Sequence, residues 1–464
     1  MKTRSGNVFG LVLMALCLCG PPTLLAQERE TLGLDALVSM AVSNSPQIRE
    51  AEQDVLAAKS DLAQANAGRW AQMDVTGVVG PAMDADEPVV VFDTDATTGG
   101  KLIGHLEDRD EDTLGIFGRL DLVIAQPLYT FGKISHRRDA AKQAVAAQQA
   151  GMEKTRGDVM LNVKELYYGL IVASQGQGAA RDADEFIEDA AKRIKKLLAA
   201  GSTNVDQSDL YRLESFEAEI KQFKVKAESG ERMAYMALKK AVGYPDSKEF
   251  KLDRSELPKD LKPLPPQEEY ISRALAHRPE IDQLNKGIEA QKSMVDAAKA
   301  DLYPSFYAAG IGSLAGAPGR DRLDISYFSD EFNRAEFGVV VGTEWHFDFG
   351  IGRAKVDKAR AEHQKLLHTK DYAERNIPLE VAKYYQDAVE AQSAFQAYGK
   401  AATAARRWIV SAFSNFDMGV GTAKDIFDAI ERYSKNQGEY LLALYNYQVA
   451  LARLDHAAAA YLAQ

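Results

Sequence analysis

Few side chains in this sequence are spaced so that they could do chemistry. The seven histidines are scattered, and the two nearest, His363 and His368, are five residues apart. That spacing puts them on different faces of a helix and spoils a shared metal site. Both cysteines, Cys17 and Cys19, fall close to the start of the chain. There is no nucleophile-elbow glycine pattern and no phosphate-binding loop. Catalysis, a metal centre and a bound cofactor are therefore not expected. The charged groups with a meaningful spacing are Arg119, Asp121, Glu344 and His346, each in a stretch where polar and apolar residues alternate. Period two places such groups on one face of a strand, where they would line a wet surface.

The start of the chain reads as an export signal. Lys2 and Arg4 precede an apolar run from Val8 to Leu18, followed by Gly20-Pro21-Pro22 and the small Ala26. The order is that of a cleaved secretory signal, and the apolar run is too short to anchor the chain. Residues 1–26 are assigned to it. Both cysteines would leave with it, so the exported chain would have no thiol and no disulfide. A lipid anchor on Cys19 is disfavoured by the bulky Leu18 before it. The net charge of −11 lacks the basic surface that nucleic acids require. With 27% charged and 46% apolar residues the chain is a folding one, not a disordered one.

The sequence repeats itself. Tyr129-Thr130-Phe131-Gly132 returns as Phe347-Asp348-Phe349-Gly350, and Ala200-Gly201 as Met418-Gly419. Ser45-Pro46-Gln47-Ile48 returns as Arg278-Pro279-Glu280-Ile281. These motifs divide the exported chain into a first repeat at 27–244, a linker at 245–266 and a second repeat at 267–464. In both repeats 69 positions of mostly helix-forming residues separate the two marker glycines. A helix of that length would reach roughly 100 Å. Val381, Tyr384, Ala388, Ala391, Phe395 and Tyr398 follow one another at gaps of three and four, as in a coiled-coil seam. Ile426, Ile430, Tyr433, Gln437, Tyr440, Leu444, Tyr447, Leu451 and Leu454 do the same in the last helix. Helices of about 35 residues, from Leu34 to Ala67 and from Gln267 to Leu302, would run beside the long ones. Pro378 and Gly169, Gly176 and Gly178 are expected to kink or loosen the long rods.

Between the short and long helices of each repeat lie two segments of period two. Phe337, Val339, Val341, Thr343, Trp345 and Phe347 alternate with Glu336, Gly338, Val340, Gly342, Glu344 and His346. Leu114, Ile116, Leu120, Leu122 and Ile124 alternate with Gly115, Phe117, Arg119, Asp121 and Val123. Their partners are expected at Ala71 to Ala82 and Tyr303 to Leu314, returning through polar loops at 83–113 and 315–334. About a dozen residues suffice to cross a bilayer when tilted, and Trp70, Tyr129, Phe131, Tyr303, Trp345, Phe347 and Phe349 gather where strand meets helix, as an interfacial girdle does. Four strands cannot close a barrel, and lipid does not tolerate an open sheet edge, so several chains must share one barrel.

With the strand-to-helix junctions, the tip glycines Gly201 and Gly419, and Gly419-Val420-Gly421-Thr422 followed by Asp425-Ile426-Phe427-Asp428, the chain resembles the TolC family of outer-membrane efflux proteins over nearly all of its exported length. The resemblance implies a mainly α fold with a small β part. It further implies a homotrimer whose twelve strands form an outer-membrane barrel, continued across the periplasm of a Gram-negative bacterium by a helical tunnel. It implies a passive exit duct for efflux or type I secretion that docks a periplasmic adaptor and an inner-membrane pump. Asp425 and Asp428 fall on the family's periplasmic gate, where rings of carboxylates would favour cations. Thr422 reads equally well as a helix N-cap, with Asp425 at the third helical position. In the first repeat the matching position is expected at Gln207, flanked by Asp206 and Asp209. Gly201, Ser202 and Thr203, with Gly419, Val420, Gly421 and Thr422, would be the adaptor-docking tips, and Arg119, Asp121, Glu344 and His346 the barrel lumen. The competing reading is a soluble periplasmic coiled-coil adaptor or scaffold, which leaves the four amphipathic strands unexplained.

Overall fold

The computed structural model describes residues 30–83, 89–95, 101–107, 114–202, 205–261, 263–318, 320 and 330–463. The expected export signal and Thr203 lie outside the described residues. The chain is mostly helical. Two helices of 67 residues each, α3 (Lys133–Ala199) and α7 (Ile351–Asp417), run its length. Two of 35 residues, α4 (Gln207–Ala241) and α8 (Ala423–Ala457), return along them. Among the described residues no helix is long and apolar enough to cross a membrane.

Most of the expected seam is buried: Val381, Ala388, Ala391 and Phe395 on α7 pack with Leu444, Tyr447 and Leu454 on α8 in one core, while Tyr384, Tyr440 and Leu451 are half-buried and Tyr398 is exposed. Pro378 sits inside α7 without ending it, and Gly169, Gly176 and Gly178 lie within the continuous α3. The shorter helices differ from expectation. Each is split in two, α1 (Leu34–Asn44) from α2 (Pro46–Ala67), and α5 (Gln267–His277) from α6 (Pro279–Ala300). The cause is local. A residue before proline is driven out of the helical region, and Ser45 (φ −60°, ψ 124°) and Arg278 (φ −62°, ψ 127°) are both extended. The proline then opens the next helix, where its missing N–H costs nothing.

Side-by-side contacts arrange the helices as an open layer. Toward the sheet the order is α2–α3–α6–α7, and toward the far end it is α4–α3–α8–α7. At that far end Ile187, Ile194, Leu213, Ile409, Phe416, Ile426 and Phe427 form a second core shared by all four helices. The segment expected to link the repeats carries a strand, β6 (Phe250–Leu252), which pairs in parallel with β1 (Glu30–Leu32). Tyr167 donates to Asp253 at 2.7 Å beside this pair, and burial together with that carboxylate holds the phenol protonated well above its usual range.

A four-stranded antiparallel sheet caps the other end. β2 (Gln72–Met83), β5 (Leu114–Tyr129), β7 (Ser305–Gly316) and β8 (Arg334–Glu344) follow in that order, with β2 and β8 at the edges. The stretch 83–113, expected as a loop, includes a second antiparallel pair, β3 (Val89–Asp95) with β4 (Lys101–Glu107). These two seven-residue runs lie within an acidic and glycine-rich stretch that masks them in the sequence.

Candidate channel face and tips

The register assigns every side chain of the sheet to a face. Val75 opposes Leu122, which opposes Gly312, which opposes Phe337; Gly77, Leu120, Leu314 and Ala335 form the next row. All residues of this parity, from Met73 on β2 to Thr343 on β8, are uncharged. They are also bare: Phe337 is 79% exposed, Val79 and Leu114 78% each, Val341 75% and Val339 71%. A folded chain in water buries side chains of this kind.

The opposite face is charged. Asp121 accepts from the Ser313 hydroxyl at 2.7 Å and pairs with Arg119 at 2.9 Å. Arg334 donates to the same Ser313 at 3.3 Å, and Glu336 lies directly opposite Ser313. Arg119, Asp121 and Glu344 thus share one face, as their parity predicts. His346 does not join them in the sheet. β8 ends at Glu344, and residues 345–348 form the connection into α7, with His346 exposed. Ser313 and Arg334 complete the network; neither was singled out from the sequence, where Arg334 was expected in a loop, and parity on the partner strands is the signal that could have found them.

The strand-to-helix junctions are built from the repeated aromatic-glycine motif. Phe131 and Phe349 both have φ 51°, and Gly132 and Gly350 have φ 93° and 144°, conformations that turn the chain sharply into α3 and α7. Phe131 stacks on Tyr303 at 5.3 Å and meets Tyr129 edge-on at 4.7 Å. The Trp345 indole donates to the Leu302 carbonyl at 3.0 Å. Trp70, Tyr129, Tyr303, Trp345, Phe347 and Phe349 are all exposed at this level. Asp348 caps the entry to α7, and N–H groups of Gly352 and Gly350 hold its carboxyl below the usual range.

At the far end each long helix stops in the same way. The Ser202 N–H reaches the Leu197 carbonyl and Gly201 that of Leu198, while Val420 reaches Asn415 and Gly419 reaches Phe416. The glycines take φ 73° and 76°, which completes a Schellman turn in both repeats. The returning helices start with capping boxes. Thr422 N–H and Oγ1 donate to Asp425 at 2.9 and 2.7 Å, and Asp425 N–H donates to Thr422 Oγ1 at 3.3 Å. These Thr422 bonds keep the Asp425 carboxyl below its ordinary value. Asp428 lies one turn further on and is exposed.

In the first repeat the box joins Asp206 and Asp209, with Asp206 held below its ordinary value chiefly by the Ser208 hydroxyl. The residue matching Asp425 by its place in the helix is therefore Asp209, not Gln207. The turn after Gly201 is two residues longer than that after Gly419, so a constant offset slips there. The two tips also touch. Arg193 of α3 pairs with Asp417 of α7 and lies over the Phe413 ring, and Phe216 stacks on Phe427 at 5.5 Å. Among the described residues no group of histidine, cysteine and carboxylate side chains could hold a metal ion.

An open sheet with one uncharged, exposed face, set at the end of a helical layer about 100 Å long, has the pattern of a membrane-embedded sheet with a helical extension. The family model described as outer membrane efflux protein matches residues 37–243 and 270–460, and the chain belongs to that family. It is an outer membrane efflux protein, a family of ducts and not of enzymes. It is 22% identical over 440 residues to the alkaline protease secretion protein AprF of Pseudomonas aeruginosa, covering 93% of this chain and 85% of that protein. It is 27% identical over 341 residues to the putative multidrug resistance outer membrane protein MdtQ of Escherichia coli, covering 71% of this chain and 65% of that protein. The fold is that of the outer membrane protein VceC of Vibrio cholerae, with a TM-score of 0.70 at 17% identity over 92% of this chain and 95% of that one.

Proposed function

We propose that three copies close head to tail into a twelve-stranded barrel in outer-membrane lipid and a helical tunnel below it, an exit duct for cargo handed over by an inner-membrane pump through a periplasmic adaptor. The observation that carries this reading is the open four-stranded sheet. Its β2 and β8 edges lack partners within the sheet and one whole face is uncharged, a state that lipid tolerates only in a closed barrel. The helical layer ends on the same two sides, with α2 and α4 below β2 and α7 below β8, so one heterologous contact would join all levels. Repeats 27–244 and 267–464, joined by 245–266, then act as a duplicated unit. Arg119, Asp121 and Glu344 face the lumen, and His346 sits just below them.

At the tip, three copies of Asp425 and Asp428 form a negative constriction that favours cations. Capping and gating are compatible, because both Thr422 donors meet the same Asp425 oxygen, Oδ2. Gly201, Ser202, Gly419, Val420, Gly421 and Thr422 form the surface offered to the adaptor. Conductance across a planar lipid bilayer tests the duct and its gate. The expected result is a cation-selective channel whose conductance rises and whose selectivity falls in the D425A/D428A double variant. A purified protein that inserts no conductance overturns the duct reading.

A further inference from the structure

At the end of the sheet remote from the helices, the described residues that flank β7 and β8 fold over the charged face and not away from it. Glu331 lies 3.1 Å from Arg334 of β8 and 3.8 Å from Arg119 of β5, two cations that point from the charged face. Phe332 meets Phe117, which shares the parity of Arg119, edge-on at 5.0 Å. Behind it Arg320 covers the Phe332 ring at 4.5 Å, donates to the Met83 carbonyl at 2.8 Å and lies 3.8 Å from Asp330, which is 5% exposed. Asn333 ties the two flanks together, accepting from Ala317 N–H at 2.8 Å and donating to the Arg320 carbonyl at 3.1 Å. The clamp thus reaches β2, β5 and β8 at once.

We propose that Glu331 and Phe332 form a size-selecting collar at the outer mouth of the lumen, held inward by Arg119, Arg334 and Phe117. The assignment rests on the shared-barrel reading, in which the charged face is the lumen. An aromatic ring and an ion-paired carboxylate carried over that face narrow the passage from the wall, and in three copies they narrow it from all sides. The opposing charges cancel, so the collar sorts by size more than by charge. Glu331 is the element that can be released. Its neutral isostere keeps the volume but loses the attraction to both guanidinium groups, while loss of the Phe332 ring removes the bulk itself.

The chain has no cysteine beyond Cys17 and Cys19, so a single engineered thiol reports alone in the exported protein. V340C places it on the charged face of β8, six residues and about 20 Å below Arg334. Intact cells are treated with a small charged maleimide and, separately, with a maleimide on a long polyethylene glycol chain. The small reagent should label V340C in every background. The large one should fail to label V340C alone and should label it in E331Q/V340C and F332A/V340C, all three proteins giving the same detergent-extracted assembly. Labelling of V340C alone by the large reagent overturns the collar, as does its continued exclusion in both released variants. Failure of the small reagent in all backgrounds means that Val340 does not face water, and the barrel reading beneath the collar falls with it.

Discussion

Val339 and Val340 are neighbours in the middle of β8 with opposite expected fates. Val339 is 71% exposed on the face that bears no charge, while Val340 shares its face with Glu336 and Glu344. A lysine at Val339 would sit near the bilayer midplane, where it costs about 2–4 kcal/mol in a barrel. In the proposed trimer the penalty per barrel is about 6–12 kcal/mol, comparable to the whole stability of an ordinary domain. In the proposed barrel a lysine at Val340 would project into the water-filled lumen, on the face that bears Glu336 and Glu344, and cost close to nothing. The assay is twofold: the amount of each variant in the outer membrane, and its denaturant midpoint after refolding into lipid vesicles. V339K should be nearly absent and V340K close to wild type. Equal behaviour of the two would refute the assignment of faces, since a sheet wetted on both sides penalises neither.

Three further outcomes follow from the local geometry. T422A removes the acceptor of the α8 cap and should cost about 1 kcal/mol, read as faster hydrogen exchange at the amides of 423–426. The Asp425 carboxyl is held below the ordinary value of 3.8, so its share of the cap is complete above that pH and is lost as pH falls below it; exchange at those amides should quicken only in strong acid. R278A leaves the Ala457 carbonyl and Glu380 without their 2.6 and 2.7 Å partner and should cost about 2 kcal/mol in chemical denaturation. At Gly157 an added Cβ would collide with the Tyr461 ring, so G157A should cost about 1–3 kcal/mol, and Y461A should relieve most of that in a double-mutant cycle.

Much of the architecture was legible because it is periodic. Gaps of three and four fixed the buried seams of α7 and α8, and strict alternation fixed the faces of β5 and β8, since a one-residue slip would exchange every side chain. The splits at Ser45 and Arg278 were written in the following prolines, yet the helical pattern continues across them and masked the break. Tertiary pairing was not legible. The three-residue strands β1 and β6 are too short for any period, and the Arg193–Asp417 contact joins residues 224 positions apart. At the tips, Thr422 and Asp425 announce their capping box, but the Asp206 and Asp209 box is displaced by the longer turn. On the charged face Arg119 and Asp121 were found by parity, whereas Glu331 and Phe332 lie outside the alternating segments and only their fold over the sheet brings them to it.

The shared barrel is tested most directly by extracting the protein from purified outer membranes and weighing the particle by light scattering. The account predicts release only with detergent and a mass of three chains once bound detergent is subtracted. A monomer that leaves the cells in osmotic shock fluid without detergent would contradict it and would favour the periplasmic coiled-coil reading instead.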